Sequence, residues 1–250
     1  MRDFDDSTLW RISEFERVRL ETGASGFMRE GGPTLLSSTL MADLTRLEAS
    51  AEHNDVLEVL AACMRHKASA LLCLKHEGMV WPVTVFPREM LFHSPVDPSN
   101  TSLAGLATLE LLATEPAGVK PPGDRVYERI ARPELYRRLG PLLWALALHG
   151  PRRTLLHEIG GTAAYRLVAS RMEERPPVSG ALIPAVERLQ HESASLRDIA
   201  SWPGMSLERA CRLLNGLYLA SSLMVTRSHR AARPEPTESR SSLFGLFRSR

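Results

Sequence analysis

The sequence predicts an α+β protein: N-terminal helices with an antiparallel β-meander, then a C-terminal winged helix-turn-helix and a disordered tail. Three observations predict it: leucines with helical spacing over residues 34–49, short β-prone runs over 69–95, and capped helices over 181–220. Hydrophobic residues make up 44% and charged residues 24% of the 250 positions. These shares are close to those of an average globular protein and exclude a wholly disordered or fibrous chain.

Residues 1–33 are predicted to form an N-terminal arm and a linker. Apolar residues among charges between Leu9 and Leu20 fit a helix in part and a strand in part, and several glycines and Pro33 follow. The first twenty residues lack the hydrophobic stretch of a signal peptide, and the three cysteines have no C-x-x-C spacing. We therefore expect a cytoplasmic protein with reduced, packed thiols.

An α+β regulatory domain is predicted over residues 34–178. Four leucines with 4-4-3 spacing indicate an amphipathic helix over residues 34–49. Asn54 or Asp55 can cap a second helix that continues to about Arg65. The domain is therefore expected to begin with two helices.

The hydrophobic period then changes to that of strands. Residues 69–76, 79–86 and 90–95 are β-prone and are separated by two- or three-residue breaks, which predicts an antiparallel meander. Pro82 within the second run indicates an edge position or a bulge. The nearly all-apolar residues 102–114 are predicted to form a buried helix.

The second half of this domain is predicted to continue with a helix and a strand. Residues 124–149 are expected to be helical, because Pro133 and Pro141 each fit the first turn of a helix. The apolar run over residues 162–169 indicates a strand.

Residues 179–228 carry the clearest pattern. A helix over 181–191, a short helix capped by Ser195 and a longer helix capped by Ser206 precede a strand over 223–228. This is the order of elements in a winged helix-turn-helix.

The longer helix is predicted to bury one stripe of its surface. Leu213, Leu214 and Leu217 fall on one side of it, and we expect them to face inward with Ile199 and Trp202 near them.

A winged helix also raises the alternative of DNA binding. In that case Arg209, Arg212 and Asn215 would point outward into a major groove, and Arg227 would contact phosphate. However, residues 180–226 contain four basic and four acidic side chains, and phosphate contacts dominate affinity for DNA. DNA binding is therefore the less favoured hypothesis.

The sequence contains no motif of a catalytic, cofactor or metal site. It has no G-x-S-x-G elbow and no glycine-rich phosphate loop. The HEIGG segment at His157 lacks the second histidine that a metalloprotease helix requires. We therefore expect no catalytic residue, cofactor or metal, and a protein that is not an enzyme.

Residues 229–250 are predicted to be a disordered tail, because they are polar, aperiodic and contain several prolines and serines. No run approaches the roughly 18 apolar residues of a membrane helix, so no transmembrane segment is expected. The tail ends in four large apolar side chains that we interpret as a site for a protein partner or for weak contact with an anionic membrane. They are Leu243, Phe244, Leu246 and Phe247.

Two segments carry a resemblance to a family of bacterial signalling proteins. Residues 54–95 (NDVLEVLAACMRHKASALLCLKHEGMVWPVTVFPREMLFHSP) resemble the PatA-N-terminal (PATAN) type of domain, in which a helix with a basic end leads into a hairpin and a third strand. Residues 195–225 (SLRDIASWPGMSLERACRLLNGLYLASSLMV) look like the small winged helix often found beside such domains.

The PATAN resemblance implies a cytoplasmic regulatory role and no catalytic residues. The partner it implies is a response regulator, a small GTPase or a motility component. We therefore expect a non-enzymatic bacterial regulatory or adaptor protein that acts through protein–protein contacts. The alternative is a winged-helix transcription regulator that binds DNA.

Overall fold

A computed structural model of the chain has an α+β fold, as predicted, with eight α-helices and two antiparallel sheets among the residues it describes. The described residues are 9–23, 35–49, 54–96, 102–123, 132–168 and 176–232.

The larger sheet has six antiparallel strands in the order β5-β2-β3-β4-β6, and β1 pairs with the start of β3. Its strands are β1 (Trp10–Arg11), β2 (Ala70–His76), β3 (Met79–Phe86), β4 (Leu91–His93), β5 (Glu110–Glu115) and β6 (Tyr136–Arg138). The predicted meander is therefore present as β2, β3 and β4. Glu77 and Gly78 join β2 to β3, both with positive φ, as a tight hairpin turn requires.

Pro82 lies in a strand that is central overall but paired on one side only at that point. Cys73 of β2 is its neighbour on one side. On the other side β1 pairs with Met79 and Val80, and β4 pairs only from Thr84 onward. Pro82 thus occupies a local edge, which tolerates a residue that has no N–H group.

Helices cover both faces of the larger sheet. Alternate residues of β2 face opposite sides of the sheet. Leu72 belongs to the core that includes the helices over residues 38–48, 56–66 and 139–149. Leu71 and Cys73 belong to a second core with the helix over residues 12–22. The helices are α1 (Ile12–Thr22), α2 (Ser38–Glu48), α3 (Val56–His66), α4 (Leu103–Ala107), α5 (Leu139–His149), α6 (Leu182–His191), α7 (Leu196–Ser201) and α8 (Leu207–Leu219).

Two predicted helices are wrong in part. The helix expected over residues 102–114 stops at Ala107, and Glu110–Glu115 form β5 against β2. Within the helix expected over 124–149, residues 136–138 form β6 against β4. A short apolar run has no period that separates helix from strand, and here the open edges of β2 and β4 decide the outcome.

The predicted order of elements over residues 181–228 is present as α6, β8 (Ala194–Ser195), α7, α8 and β9 (Leu223–Thr226). Between β8 and β9 in the smaller sheet lies β7 (Ala164–Leu167), which precedes α6 in the chain and the predicted domain boundary at residue 179. The central strand of this sheet is therefore supplied from the N-terminal side of the helices.

The chain after β9 differs from the prediction of disorder from His229. Residues 230–232 form a turn of 3-10 helix, and Ala232 is buried. Residues 233–250, with the apolar side chains predicted as a partner site, lie outside the described residues.

The stripe predicted on α8 is buried. Leu213, Leu214 and Leu217 are inaccessible to solvent and belong to the same core as Ile199 and Trp202.

On another side, α8 packs closely on α5. A Cβ atom added at Gly216 would lie 2.3 Å from a ring carbon of Trp144, so only glycine permits this approach of the helix to the indole ring.

Candidate functional site

Asn215, predicted to point outward towards DNA, is fully buried (0% exposed). Its Oδ1 accepts a hydrogen bond from the Leu156 N–H at 2.9 Å, and its Nδ2 donates to the Thr154 carbonyl at 2.9 Å. The outward orientation is therefore wrong. The amide satisfies backbone groups of the segment 150–159 that would otherwise be buried without partners.

Arg212 also turns inward, contrary to the prediction. Its Nη1 donates to the carbonyls of Leu148 and Gly150 at 2.8 and 3.0 Å, and its Nε pairs with Glu208 at 3.0 Å. These carbonyls lie at the C-terminal end of α5, where helical acceptors need outside donors and where positive charge is favourable. Arg212 thus fastens α8 to α5.

The other two predicted DNA contacts, Arg209 and Arg227, are exposed but also bind backbone carbonyls. Arg209 donates to the carbonyl of Gly204 at 2.5 Å. Arg227 donates to the carbonyls of Glu158 and Gly160 at 3.0 and 2.9 Å. The structure therefore does not bring the four predicted residues together on one free surface.

A buried ion cluster, which we call the Arg152 cluster, joins Arg152 to Asp55 and Glu58 at the start of α3. The Arg152 side chain is only 4% exposed and lies 2.7 Å from Asp55 Oδ2 and 2.8 Å from Glu58 Oε1. Glu58 Oε1 also accepts the His157 N–H at 2.7 Å. A buried charge is stable only when it is paired and hydrogen-bonded, and this cluster meets both conditions.

A second set of polar contacts connects the other end of α3 to α2 and to the segment 157–159. Arg65 bridges Asp43 at 2.8 Å and Glu158 at 2.7 Å, and His66 Nε2 lies 2.6 Å from Asp43. Burial alone would raise the pKa of Asp43, but the hydrogen bond with His66 and the charge of Arg65 outweigh it and hold the pKa below its usual value.

The segment 150–161 is thus held on both sides, by α3 through Asp55, Glu58 and Arg65 and by α8 through Asn215. The Tyr218 hydroxyl adds a hydrogen bond to Glu158, and burial with that bond raises its pKa. These ionisable groups serve to fix the backbone, and none of them lines the open groove that follows this segment.

That open groove has a volume of about 1180 Å³ and lies between α7, the start of α8 and the 3-10 turn after β9. We call it the α7 groove. It is lined by residues 161–163, by most of 195–201, by Leu207 and by residues 229–232.

Two helix caps shape the α7 groove. Ser195 and Asp198 form a capping box, in which Ser195 Oγ accepts the Asp198 N–H at 3.2 Å and Asp198 Oδ2 accepts the Ser195 N–H at 3.0 Å. Ser206 caps α8 by accepting the Arg209 N–H, which makes Leu207 the first helical residue. Leu207 lies two turns before Leu214 on the same side of α8 but is 59% exposed.

The rim of the α7 groove is cationic. Arg197 and Arg230 line it, and no carboxylate of the described residues forms a salt bridge with either. Asp198, the acidic residue of the lining, is engaged in the capping box of α7. The groove therefore offers an exposed leucine beside two guanidinium groups.

Three polar side chains of the α7 groove, Ser195, Ser201 and His229, form local hydrogen bonds. Ser195 Oγ binds Asp198, Ser201 Oγ donates to the Asp198 carbonyl, and His229 Nδ1 accepts the Ala231 N–H.

The described residues can also be compared with the requirements of a reactive thiol, a metal site and a membrane-spanning helix. Cys63, Cys73 and Cys211 are buried thiols, as expected, and burial raises the pKa of Cys63 to about 12. Within the described ranges, no three His, Cys, Asp or Glu side chains lie close enough to share a metal ion. No helix in the same ranges has the length and apolar character needed to cross a membrane.

Sequence reasoning missed the Arg152 cluster and the α7 groove. Glu58 is the one charged residue in the apolar run 56–63, and a lone carboxylate there indicates a buried partner. Leu207 at the first position of a helix gives a weaker signal, because a single exposed leucine is common on protein surfaces.

Comparison with protein-family models, curated proteins and solved structures gave no significant match to this chain.

Proposed function

We propose that this chain is a non-enzymatic, cytoplasmic bacterial regulatory or adaptor protein that binds a protein partner at the α7 groove. The observation that carries the proposal is the burial of α8, the helix that would read DNA in a winged helix. From Ala210 to Leu219, only Arg212 and Tyr218 are partly exposed. A recognition helix must lay one face in a major groove about 12 Å wide, and α8 has no such face beyond its first turn.

The α7 groove supports a partner of particular chemistry. Leu207 offers apolar surface that a large side chain can cover, and Arg197 and Arg230 line the same groove with guanidinium groups that form no salt bridge with another described residue. Arginine binds carboxylates through its planar guanidinium group. The two arginines would therefore set the position of an acidic partner segment and increase its rate of association. Burial of apolar surface would supply most of the affinity. The partner segment we propose is therefore acidic and carries at least one large apolar residue.

The partner classes to test are those that the PATAN resemblance implies: a response regulator, a small GTPase or a motility component. Placing a photo-crosslinking residue at Leu207, in cells that express the chain, should capture one defined protein. The matched control places the same residue at Leu20, which is 89% exposed on α1 and lies outside the groove. Arg197→Glu combined with Arg230→Glu should reduce the captured band several-fold.

Two results of the crosslinking experiment would contradict this function. One is that positions 207 and 20 capture the same set of proteins, which would indicate non-specific collisions. The other is that the double charge reversal leaves the band at position 207 unchanged, which would separate the captured protein from the rim of the groove.

We also expect residues 1–228 to bind random duplex DNA no more tightly than a neutral control protein at physiological salt. The reason is the covered α8 together with the equal numbers of basic and acidic side chains over residues 180–226. Fluorescence anisotropy with a labelled duplex between about 50 and 200 mM salt measures this. Submicromolar binding that weakens steeply with salt would instead support the winged-helix transcription regulator.

A further inference from the structure

We propose that the apolar segment of the chain's own tail, residues 243–247, docks in the α7 groove and covers it until a partner displaces it. The competition with a partner rests on the function proposed above, whereas the docking itself does not.

The last residues that the structure describes, 229–232, lie at the α7 groove. Residues 229–232 form one wall of the groove, and Ala232, the last described residue, is buried there. Ten residues, 233–242, connect this wall to Leu243. Fully extended, ten residues span at most about 33–36 Å, which is ample for a return into an adjoining groove.

The α7 groove exposes apolar side chains inside its cationic rim, and the tail segment is rich in apolar side chains. Leu207 is largely exposed, and Leu196, Ala200 and Ala231 are partly exposed along the groove. The segment SLFGLFR carries two leucines and two phenylalanines within five positions. Its docking would remove both apolar surfaces from water at once.

The short connection makes weak affinity sufficient. A connection of ten residues gives an effective concentration of the order of 1 mM. An intrinsic dissociation constant of about 0.1 mM would then leave the groove covered in roughly ten of every eleven molecules. The tail can therefore occupy the groove without a large or highly complementary interface.

Charge explains why the tail would yield to a partner. Arg248 and Arg250 follow the apolar segment and have the same sign as Arg197 and Arg230 on the rim. The apolar segment itself therefore gains no ion pair there and depends on apolar burial, while the acidic side chains Glu235 and Glu238 lie in the connection. An acidic partner uses both the leucine and the rim, so it can displace an occupant that uses only the leucine.

The docking is tested in the full chain with a spin label at Ser242→Cys. The three native cysteines are buried, so the label attaches to the introduced thiol. Paramagnetic broadening is measured on backbone amides of α7 and Leu207, which are separate in sequence from the tether. The matched control carries the same label with Leu243, Phe244, Leu246 and Phe247 all replaced by serine.

We expect several-fold stronger broadening at α7 and Leu207 in the native tail than in the serine control, unchanged when salt is raised. Equal broadening in the two chains would overturn the proposal. So would broadening that requires high protein concentration, which indicates docking between copies. A third result would also overturn the proposal. In it, the native tail causes no broadening at the groove, and the spin label becomes immobilised only when anionic phospholipid vesicles are added. That result would assign the segment to a membrane.

A second measurement separates docking from the proposed function. The serine control should raise the yield of the partner crosslinked at position 207 several-fold. If no partner is captured in either chain but the native tail still broadens α7, the proposed function fails while the docking stands. If a partner is captured equally in both chains and no broadening is seen, the docking fails while the function stands.

Discussion

Arg152→Met should lower the free energy of unfolding by about 3–5 kcal/mol, because it leaves two carboxylates buried without their cation. Asp55 and Glu58 both lie within 2.8 Å of the guanidinium group, and Glu58 is only 3% exposed. The methionine keeps much of the side-chain volume, so the loss reports charge and hydrogen bonding rather than a cavity. Urea denaturation of the full chain, followed by circular dichroism, measures the change.

The matched control for this prediction is Arg153→Met at the next position. Arg153 is exposed, and its nearest carboxylate, Glu208, lies at 3.9 Å, so we expect a change within about 0.5 kcal/mol. Equal effects of the two substitutions would show that the Arg152 cluster does not hold the segment 150–159 on α3.

Leu214→Ala should lower the free energy of unfolding by about 2–5 kcal/mol, because it opens a cavity where α8 meets the rest of the core. Leu214 is fully buried and belongs to a cluster that reaches from α2 to β9. Thermal or urea unfolding of the full chain measures the loss.

Leu207→Ala is the control for the core substitution, since it removes the same atoms from the same side of the same helix. Leu207 is mostly exposed, so its truncation should cost less than about 1 kcal/mol. A loss at Leu207 as large as that at Leu214 would mean that the α7 groove is part of the core and not a free surface.

The elements that the sequence predicts well are those with local signals. Ser195, Ser206 and Asp55 cap the helices that follow them, and each cap depends on atoms within three residues. Heptad-like leucine spacing works for the same reason, because one turn of helix decides which side a residue faces.

The strands β5 and β6 were predicted as helix because their partners are distant in sequence. β5 completes the sheet against β2, with Lys75 opposite Glu110, and β6 does so against β4. An apolar run takes the conformation that a neighbouring free edge offers, and nothing within the run itself identifies that edge.

The site was harder to predict than the fold, because the polarity of a side chain does not show whether it points to solvent or to buried backbone groups. Asn215 and Arg212 resemble surface residues of an amphipathic helix, yet both bind backbone carbonyls near the end of α5 and the segment after it. Those acceptors lie about sixty residues earlier in the chain. The α7 groove has the same origin, since four stretches that are separate in sequence form its walls.

The position of β7 has a consequence for how the chain folds during synthesis. Ala164 pairs with Thr226, so a strand made early must wait for one made about sixty residues later before the smaller sheet can close. Until then its backbone N–H and C=O groups are open to other chains or to chaperones. An expressed fragment that begins at residue 179 would lack this strand altogether. The remaining strands, β8 and β9, would face each other across a vacant position and would be prone to pairing between molecules.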